Sequence, residues 1–445
     1  MNTQAFIQAH ADDDVRQLAL QVSGATDIEV TYALEQIAGR QKARTKLPTW
    51  AATEGIVYPP GLALEQCSSE QTARYKAELV SRWVKESHAG SSMPDKEPFR
   101  FIDLTGGFGV DFTCMAQAIL TAFHPSPLTP DSLHVPDAAT ALQPAPFTYV
   151  EQNPQLFAIT VQNLPRFVEG AACVCGDGVE YLCQGTGHYD LIYLDPARRD
   201  IHGRRTYGIS DCTPDVTAIR DLLLSRADRI LIKLSPMLDW RKAVSDIGAE
   251  WVHEVHIVSV GNECKELLLV IGNEQCGALR EEPGTRVHEP RLTCINLLDD
   301  GEQRFSVPIS HSLRPSIPPS LHPSISQFLF EPNASVMKAG CFAELSQHYG
   351  VQQIEKNSHL FVSAEYVDDF PGRVFQIEAV SSMNKRELKE RLSGISQANI
   401  TVRNFPMDVA ALRRRLRLAD GGSTYIFATT LADKSHVLLL CRKIS

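Results

Sequence analysis

The chain is predicted to be α/β: a doubly wound, mostly parallel sheet whose last strand runs antiparallel, preceded by a helical segment and followed by an α+β unit. Three observations predict this. Between residue 99 and about 275, short apolar runs of strand length alternate with patterns of helical spacing, as crossovers between parallel strands require. The last two runs, Val255–Val260 and Leu267–Ile271, are divided only by Gly261-Asn-Glu-Cys-Lys-Glu266, too short for a parallel crossover. The run Phe101–Leu104 passes into Gly106-Gly-Phe-Gly109 before a helical pattern begins. Glycines let that loop approach a ligand and adopt positive φ, and the helix start adds unpaired N–H groups with partial positive charge.

The elements follow in order. Residues 1–95 form the N-terminal helical region, with apolar positions three and four apart in Val15–Val22 and Ile28–Ile37. Leu47-Pro-Thr-Trp through Tyr58-Pro-Pro-Gly-Leu reads as extended, and Ser68 or Ser69 caps a helix running to Leu79. Residues 96–278 form the core, with strands at Phe101–Leu104, Phe147–Val150, Ala172–Cys175, Leu191–Leu194 and Ile230–Leu234 before the last two. The Pro-rich His124–Pro146 interrupts it as a surface insertion. Residues 279–325 hold a small β unit at 287–307 and a Ser/Pro-rich linker, Pro308–Pro323. Residues 326–445 turn helical after Glu331-Pro-Asn and then read β-α-β-α-β-β, with helices at Lys385–Leu392 and Val409–Leu418. No internal repeat is present.

Length and composition set bounds. A chain of 445 residues has room for roughly two to four domains, and 43% hydrophobic with 22% charged residues is ordinary for a globular protein. No apolar run reaches the ~18 residues of a membrane span, and the acidic N-terminus lacks a signal-peptide apolar stretch, so a cytoplasmic protein is expected. The 11 cysteines are scattered without a CxxC pair, and no metal is expected. Net charge is −10, unevenly spread: residues 371–445 hold 13 Lys+Arg against 6 Asp+Glu, and the rest 30 against 47. A basic C-terminal unit on an acidic body suits a polyanionic partner; the same charges also suit a solvated face.

In a doubly wound sheet, ligands bind beyond the C-terminal strand ends near the topological switch. Those ends carry Asp103 with the glycine loop, then Glu151, Asp177, and Asp195-Pro196-Ala-Arg198-Arg199. A carboxylate at Glu151 accepts both hydroxyls of a ribose, as also happens in nicotinamide-binding folds, or stands solvated. Asp177 bonds an exocyclic amine of adenine, caps the following helix, or does both. Pro196 fixes the backbone so that Asp195 projects where a donor carbon meets a nucleophile, and Arg198 and Arg199 can grip phosphate or carboxylate; alternatively the stretch is a strand-end turn with surface arginines. Glu263 and Lys265, in the turn before the last strand, face the same rim as substrate contacts or pair with each other. Arg413 and Arg417, four residues apart on one helix, are candidate phosphate contacts on a shared face, or part of a solvated helix.

Taken together, these residues resemble the class I S-adenosylmethionine-dependent methyltransferases. They are most similar to a bacterial subgroup with an N-terminal helical segment and a C-terminal THUMP-like domain. The resemblance lies in Tyr58-Pro-Pro, Ser68-Ser-Glu-Gln-Thr-Ala, Asp103-Leu-Thr-Gly-Gly-Phe-Gly-Val-Asp111, Asp195-Pro-Ala-Arg-Arg, Glu263-Cys-Lys-Glu-Leu and Phe330-Glu-Pro-Asn333. It implies a Rossmann-like, seven-stranded methyltransferase core and S-adenosylmethionine as cofactor. Asp103, Thr105, Gly106, Gly107 and Gly109 would line its methionine and ribose side, with Ser69 and Thr72 at the methionine end. Glu151 would take the ribose, Asp177 the adenine, and Asp195, Pro196 and Arg198 would face the methyl acceptor. Two departures stand out. Asp103 and Glu151 are 48 residues apart, against roughly 20 in a compact nucleotide unit, and the Pro-rich insertion accounts for this. Asp-Pro-Ala-Arg also lacks the aromatic on which amino-group methyltransferases stack a flipped base. The expected activity is methyl transfer to structured RNA. The alternatives are a protein or small-molecule acceptor with the C-terminal domain as an interaction module, a non-catalytic S-adenosylmethionine-binding protein and, more distantly, a nicotinamide oxidoreductase.

Overall fold

The computed structural model describes residues 2–22, 29–88, 98–123, 146–197, 208–273, 289–309 and 327–444. The chain divides into two compact units, Met1–His253 with Leu268–His288, and Glu254–Leu267 with Glu289–Ser445. The insertion up to residue 145 and the Ser/Pro-rich stretch from 310 to 323 lie outside the described residues. Among the described residues no helix is long and apolar enough to cross a membrane.

The first unit opens with helices α1 (Thr3–Ala9), α2 (Val15–Gln21), α3 (Val30–Lys46), α4 (Pro48–Ala52), α5 (Gly61–Gln66) and α6 (Glu70–His88). Two of these correct the expectation of an extended segment from Leu47. Pro48 stands at the start of α4, where its missing N–H costs nothing and its fixed φ favours a helix. Trp50 of α4 is buried against Phe108, ring centroids 4.7 Å apart, in a cluster with Tyr58, Leu64 and Val110. The helical region thereby holds the glycine loop from one side.

The remainder of this unit alternates strand and helix. It comprises β1 (Phe101–Asp103), α7 (Val110–Phe123), β2 (Phe147–Glu151), α8 (Pro154–Asn163), β3 (Ala172–Cys175), α9 (Gly178–Gln184), β4 (Tyr189–Leu194), α10 (Val216–Arg226), β5 (Ala227–Leu234) and α11 (Trp240–Ile247). The strand order is β3-β2-β1-β4-β5, parallel throughout. β1 has β2 on one side and β4 on the other, so the order reverses there and opens a crevice at their C-terminal ends.

β6 (Val252–Val260) and β7 (Glu263–Gly272) follow, joined by Gly261 and Asn262 at φ 54° and 66°. Two left-handed residues close a tight antiparallel hairpin. Glu263–Glu266 therefore belong to β7, not to the turn that their polar side chains suggested. In the second unit β6 pairs in parallel with β8 (Arg291–Leu298), which pairs antiparallel with β9 (Gly301–Pro308). Then come β10 (Phe328–Pro332), α12 (Ala334–Ala339), α13 (Phe342–Tyr349), β11 (Gln352–Gln353), β12 (Phe361–Ser363) and β13 (Gly372–Ser382). The chain ends with α14 (Lys385–Arg391), β14 (Asn399–Arg403), α15 (Val409–Leu416), β15 (Thr424–Thr430) and β16 (His436–Lys443), the β-α-β-α-β-β order read from residue 373. These strands form a sheet ordered β11-β12-β10-β13-β16-β15-β14. Asn262 accepts the Ala334 N–H at the start of α12 (2.8 Å), while Asn333 caps that helix through Val336 N–H.

Candidate functional site

The loop after β1 is held by the two strands that flank it, β2 and β4, and by α8. Gly106 N–H donates to Val150 O and Leu104 N–H to Tyr193 O. Gly107 N–H donates to Glu151 Oε2 (2.8 Å), and the Tyr149 hydroxyl (2.5 Å) and Thr160 hydroxyl (3.1 Å) donate to Gly107 O. A side chain at Gly106 would collide with the Tyr149 ring, its Cβ falling 2.1 Å from a ring carbon, so the first glycine of the pair is required by packing. Gly107 and Gly109 take φ of 57° and 78°.

Six predicted residues lie at or just beyond these strand ends. Asp103 is buried, and its Oδ1 accepts Thr105 N–H (2.9 Å). Burial, reinforced by the negative charges of Asp111, Asp195 and Glu151, pushes its carboxyl well above the usual range, against the pull of the Thr105 N–H. Thr105 Oγ1 accepts Asp195 N–H (2.7 Å), tying the ends of β1 and β4 together. Both Glu151 oxygens accept backbone N–H groups, from Gly107 and from Asn153 (2.7 Å). Asp177 caps α9 through one oxygen, Oδ1, which accepts Val179 and Glu180 N–H. Pro196 is buried, and Ala197 after it exchanges backbone hydrogen bonds with Thr213.

Other predictions fare differently. Arg198 and Arg199 lie outside the described residues. Ser69 and Thr72 serve the first turn of α6, where Ser69 Oγ accepts Thr72 N–H and lies 3.2 Å from its hydroxyl. Lys265 pairs with Glu263 at 2.7 Å, both on the surface. The shared face of Arg413 and Arg417 is corrected: α15 ends at Leu416, and Arg417 is its cap at φ 59°, left-handed and off the helical face. Arg413 is also engaged, donating to Ala398 O and Ala419 O and pairing with Asp420. The exposed arginines of this corner are Arg414, Arg415 and Arg417.

Sequence reasoning missed a buried charge network beside Asp195. Lys233 Nζ lies 2.5 Å from Asp195 Oδ2 and 4.0 Å from Asp111 Oδ2. Asp111 also lies 3.2 Å from Lys76 Nζ, and accepts the hydroxyls of Ser68 and Tyr193, both at 2.7 Å. Burial disfavours the Asp111 charge, but the two ammoniums and two hydroxyls outweigh it and hold the carboxyl below its ordinary value. The available signal was a lysine inside the otherwise apolar run Ile230–Leu234. Among the described residues, no group of three or more His, Cys, Asp and Glu side chains is arranged to hold a metal.

The chain is similar to known proteins. A THUMP domain-like family profile matches residues 372–443, and a ferredoxin-like domain profile matches 328–371. The crystal structure of a protein assigned as a methyltransferase from Porphyromonas gingivalis W83 is 30% identical, with a TM-score of 0.77, covering 100% of this chain and 98% of that one. Uncharacterized S-adenosylmethionine-dependent methyltransferases from two Mycobacterium tuberculosis strains are 24% identical over 258 residues, 57% of this chain. The matched stretch spans 64% of the length of those relatives.

Proposed function

Because the chain belongs to the class I S-adenosylmethionine-dependent methyltransferases with a C-terminal THUMP-like domain, we propose that it transfers a methyl group from S-adenosylmethionine to structured RNA. The observation that carries this reading is the convergence of the glycine loop, Glu151 and Asp195 at the point where the strand order reverses, with Thr105 linking the loop to Asp195.

The residues fit the cofactor. A Cβ on Gly107 would meet nothing nearer than Thr105 O at 3.7 Å, and one on Gly176 nothing within 4 Å. Backbone after β1 and β3 is thus open to a ligand, while Gly106 and Gly109 are packed inward against Tyr149 and Thr160. Glu151 would accept ribose hydroxyls through lone pairs left after it braces the loop, and Asp177 would take the adenine amine through the oxygen not used for capping. Asp103, Thr105 and the loop backbone would line the methionine and ribose side, with Ser69 and Thr72 toward its end. Bound there, S-adenosylmethionine would supply a methyl group on a sulfonium centre. Asp195 and Pro196 would orient the acceptor against it, so that positioning lowers the barrier. Arg198 and Arg199, which follow in the chain, are proposed for the acceptor's phosphate or carboxylate.

Calorimetry tests the cofactor side. Wild-type protein is expected to bind S-adenosylhomocysteine, with Glu151→Gln weakening it about tenfold or more, in line with ~1.5–3 kcal/mol for a charge-assisted hydrogen bond. Unaltered affinity in that variant would remove Glu151 from the site.

The RNA acceptor rests on the THUMP-like unit and its basic balance of 13 Lys+Arg to 6 Asp+Glu. Binding of total RNA is expected to weaken steeply with salt. Arg414→Glu with Arg417→Glu should lower affinity and flatten the salt slope by about 2, one per lost phosphate contact. Salt-insensitive binding, or none, would count against RNA and for a protein or small-molecule acceptor.

A further inference from the structure

Lys233 occupies the penultimate position of β5, in a strand that is otherwise apolar toward its end, and is only 9% exposed. Its ammonium stands between two carboxylates, Asp195 from the end of β4 and Asp111 from the first turn of α7. Behind Asp111 stands Lys76 of α6, fully buried and 3.2 Å from Ser68 Oγ as well. Charges therefore alternate from the interior to the rim: Lys76, Asp111, Lys233, Asp195.

Burying such a chain does little for folding by itself. Desolvation offsets the Coulomb attraction, and apolar side chains of equal volume often serve as well or better. Two features indicate what the chain is for. Of its four members, Asp195 alone has a substantially exposed side chain, at 37%, and it is the member at the strand ends where ligands bind in this architecture. Asp195 is also gripped twice, by Thr105 through its backbone N–H and by Lys233 through Oδ2. A strand-end carboxylate with no task would need neither constraint.

We infer that Lys233 is a positioning residue of the methyl-transfer site, holding Asp195 Oδ2 in one orientation while Asp111, itself paired with Lys76, keeps the Lys233 ammonium in place. The inference rests on the reading of Asp195 as the residue that faces the acceptor. Lys233 itself need touch neither cofactor nor acceptor. Its contribution is to remove rotational freedom from the carboxylate that does, and a misplacement of about 1 Å at such a group can cost ~100-fold in rate.

The test uses the full-length protein in two ways. With lysine side chains labelled with nitrogen-15, the Lys233 ammonium resonance is expected to be visible in neutral water, because a buried, paired ammonium exchanges slowly. It is assigned by its loss in Lys233→Met and is expected to shift in Asp195→Asn. Separately, transfer of tritiated methyl from S-adenosylmethionine to total RNA of a strain lacking the protein is followed. Lys233→Met should lower kcat by about 100-fold, with unchanged KM for S-adenosylmethionine and unchanged affinity for S-adenosylhomocysteine; Lys233→Arg should recover much of the loss. A resonance unmoved by Asp195→Asn, or a folded Lys233→Met with wild-type kcat, overturns the assignment. If Lys233→Met does not fold, Lys233→Arg supplies the assignment and the Asp195→Asn comparison decides. If wild-type protein labels no RNA, the RNA reading fails on its own, and the ammonium spectrum still decides the role of Lys233.

Discussion

Asp195→Asn is expected to lower methyl transfer by about 10²- to 10³-fold, the usual cost of removing one preorganised electrostatic group from a reacting centre. The substitution keeps shape and backbone, so the Asp195 N–H to Thr105 Oγ1 bond that ties β4 to the glycine loop should survive. Affinity for S-adenosylhomocysteine should therefore stay at the wild-type level. The fold should also survive, because Lys233 retains Asp111 at 4.0 Å when the nearer charge is lost. Calorimetry, circular dichroism and single-turnover transfer on one preparation separate the outcomes. Retained turnover would remove Asp195 from the chemistry. Joint loss of turnover and cofactor binding would make it a brace of the cofactor loop. Retained cofactor binding without turnover would exclude a protein that merely holds the cofactor.

The largest stability effect is expected at Asp111. Asp111→Ala leaves the buried ammonium of Lys76 without its carboxylate and deprives Lys233 of its second one, which should cost about 3–5 kcal/mol. Urea denaturation followed by fluorescence measures it; a loss below about 1 kcal/mol would mean that water or a shifted side chain replaces the carboxylate. The acid dependence has a definite sign. The folded-state pKa of Asp111 is depressed below its unfolded value of ~3.9. Its contribution is then fully present above about pH 3.9 and is lost as pH falls through the lower folded value. The stability gap between wild type and Asp111→Asn should thus be flat from neutrality to about pH 5 and narrow only in stronger acid.

The strand positions were legible because burial on both faces of a parallel sheet leaves near-continuous apolar runs, such as Phe147–Val150 and Leu191–Leu194. The glycine loop was legible for a similar reason: Gly107 and Gly109 need left-handed φ, and Gly106 meets Tyr149. Where local pattern misled, a turn or cap intervened. Pro48 begins a helix within a segment that reads as extended, and Asn262 closes a turn in two residues where six polar-looking ones were available. Arg417 leaves its helix because the left-handed cap at that position ends α15 one residue earlier.

The order of elements, the glycine loop and the acids at the strand ends follow from residue type and spacing, since each is dictated by neighbours within a few positions. Which of those acids stand beside which cations does not. Ser68, Lys76, Asp111, Tyr193, Asp195 and Lys233 are spread over four elements and their flanks, and they meet only when β1, β4 and β5 pair and α6 packs on α7. Local propensity carries no term for charges so far apart in the chain. Their pairing is imposed by burial, which makes an isolated charge costly and leaves the alternating network as the arrangement the fold can hold.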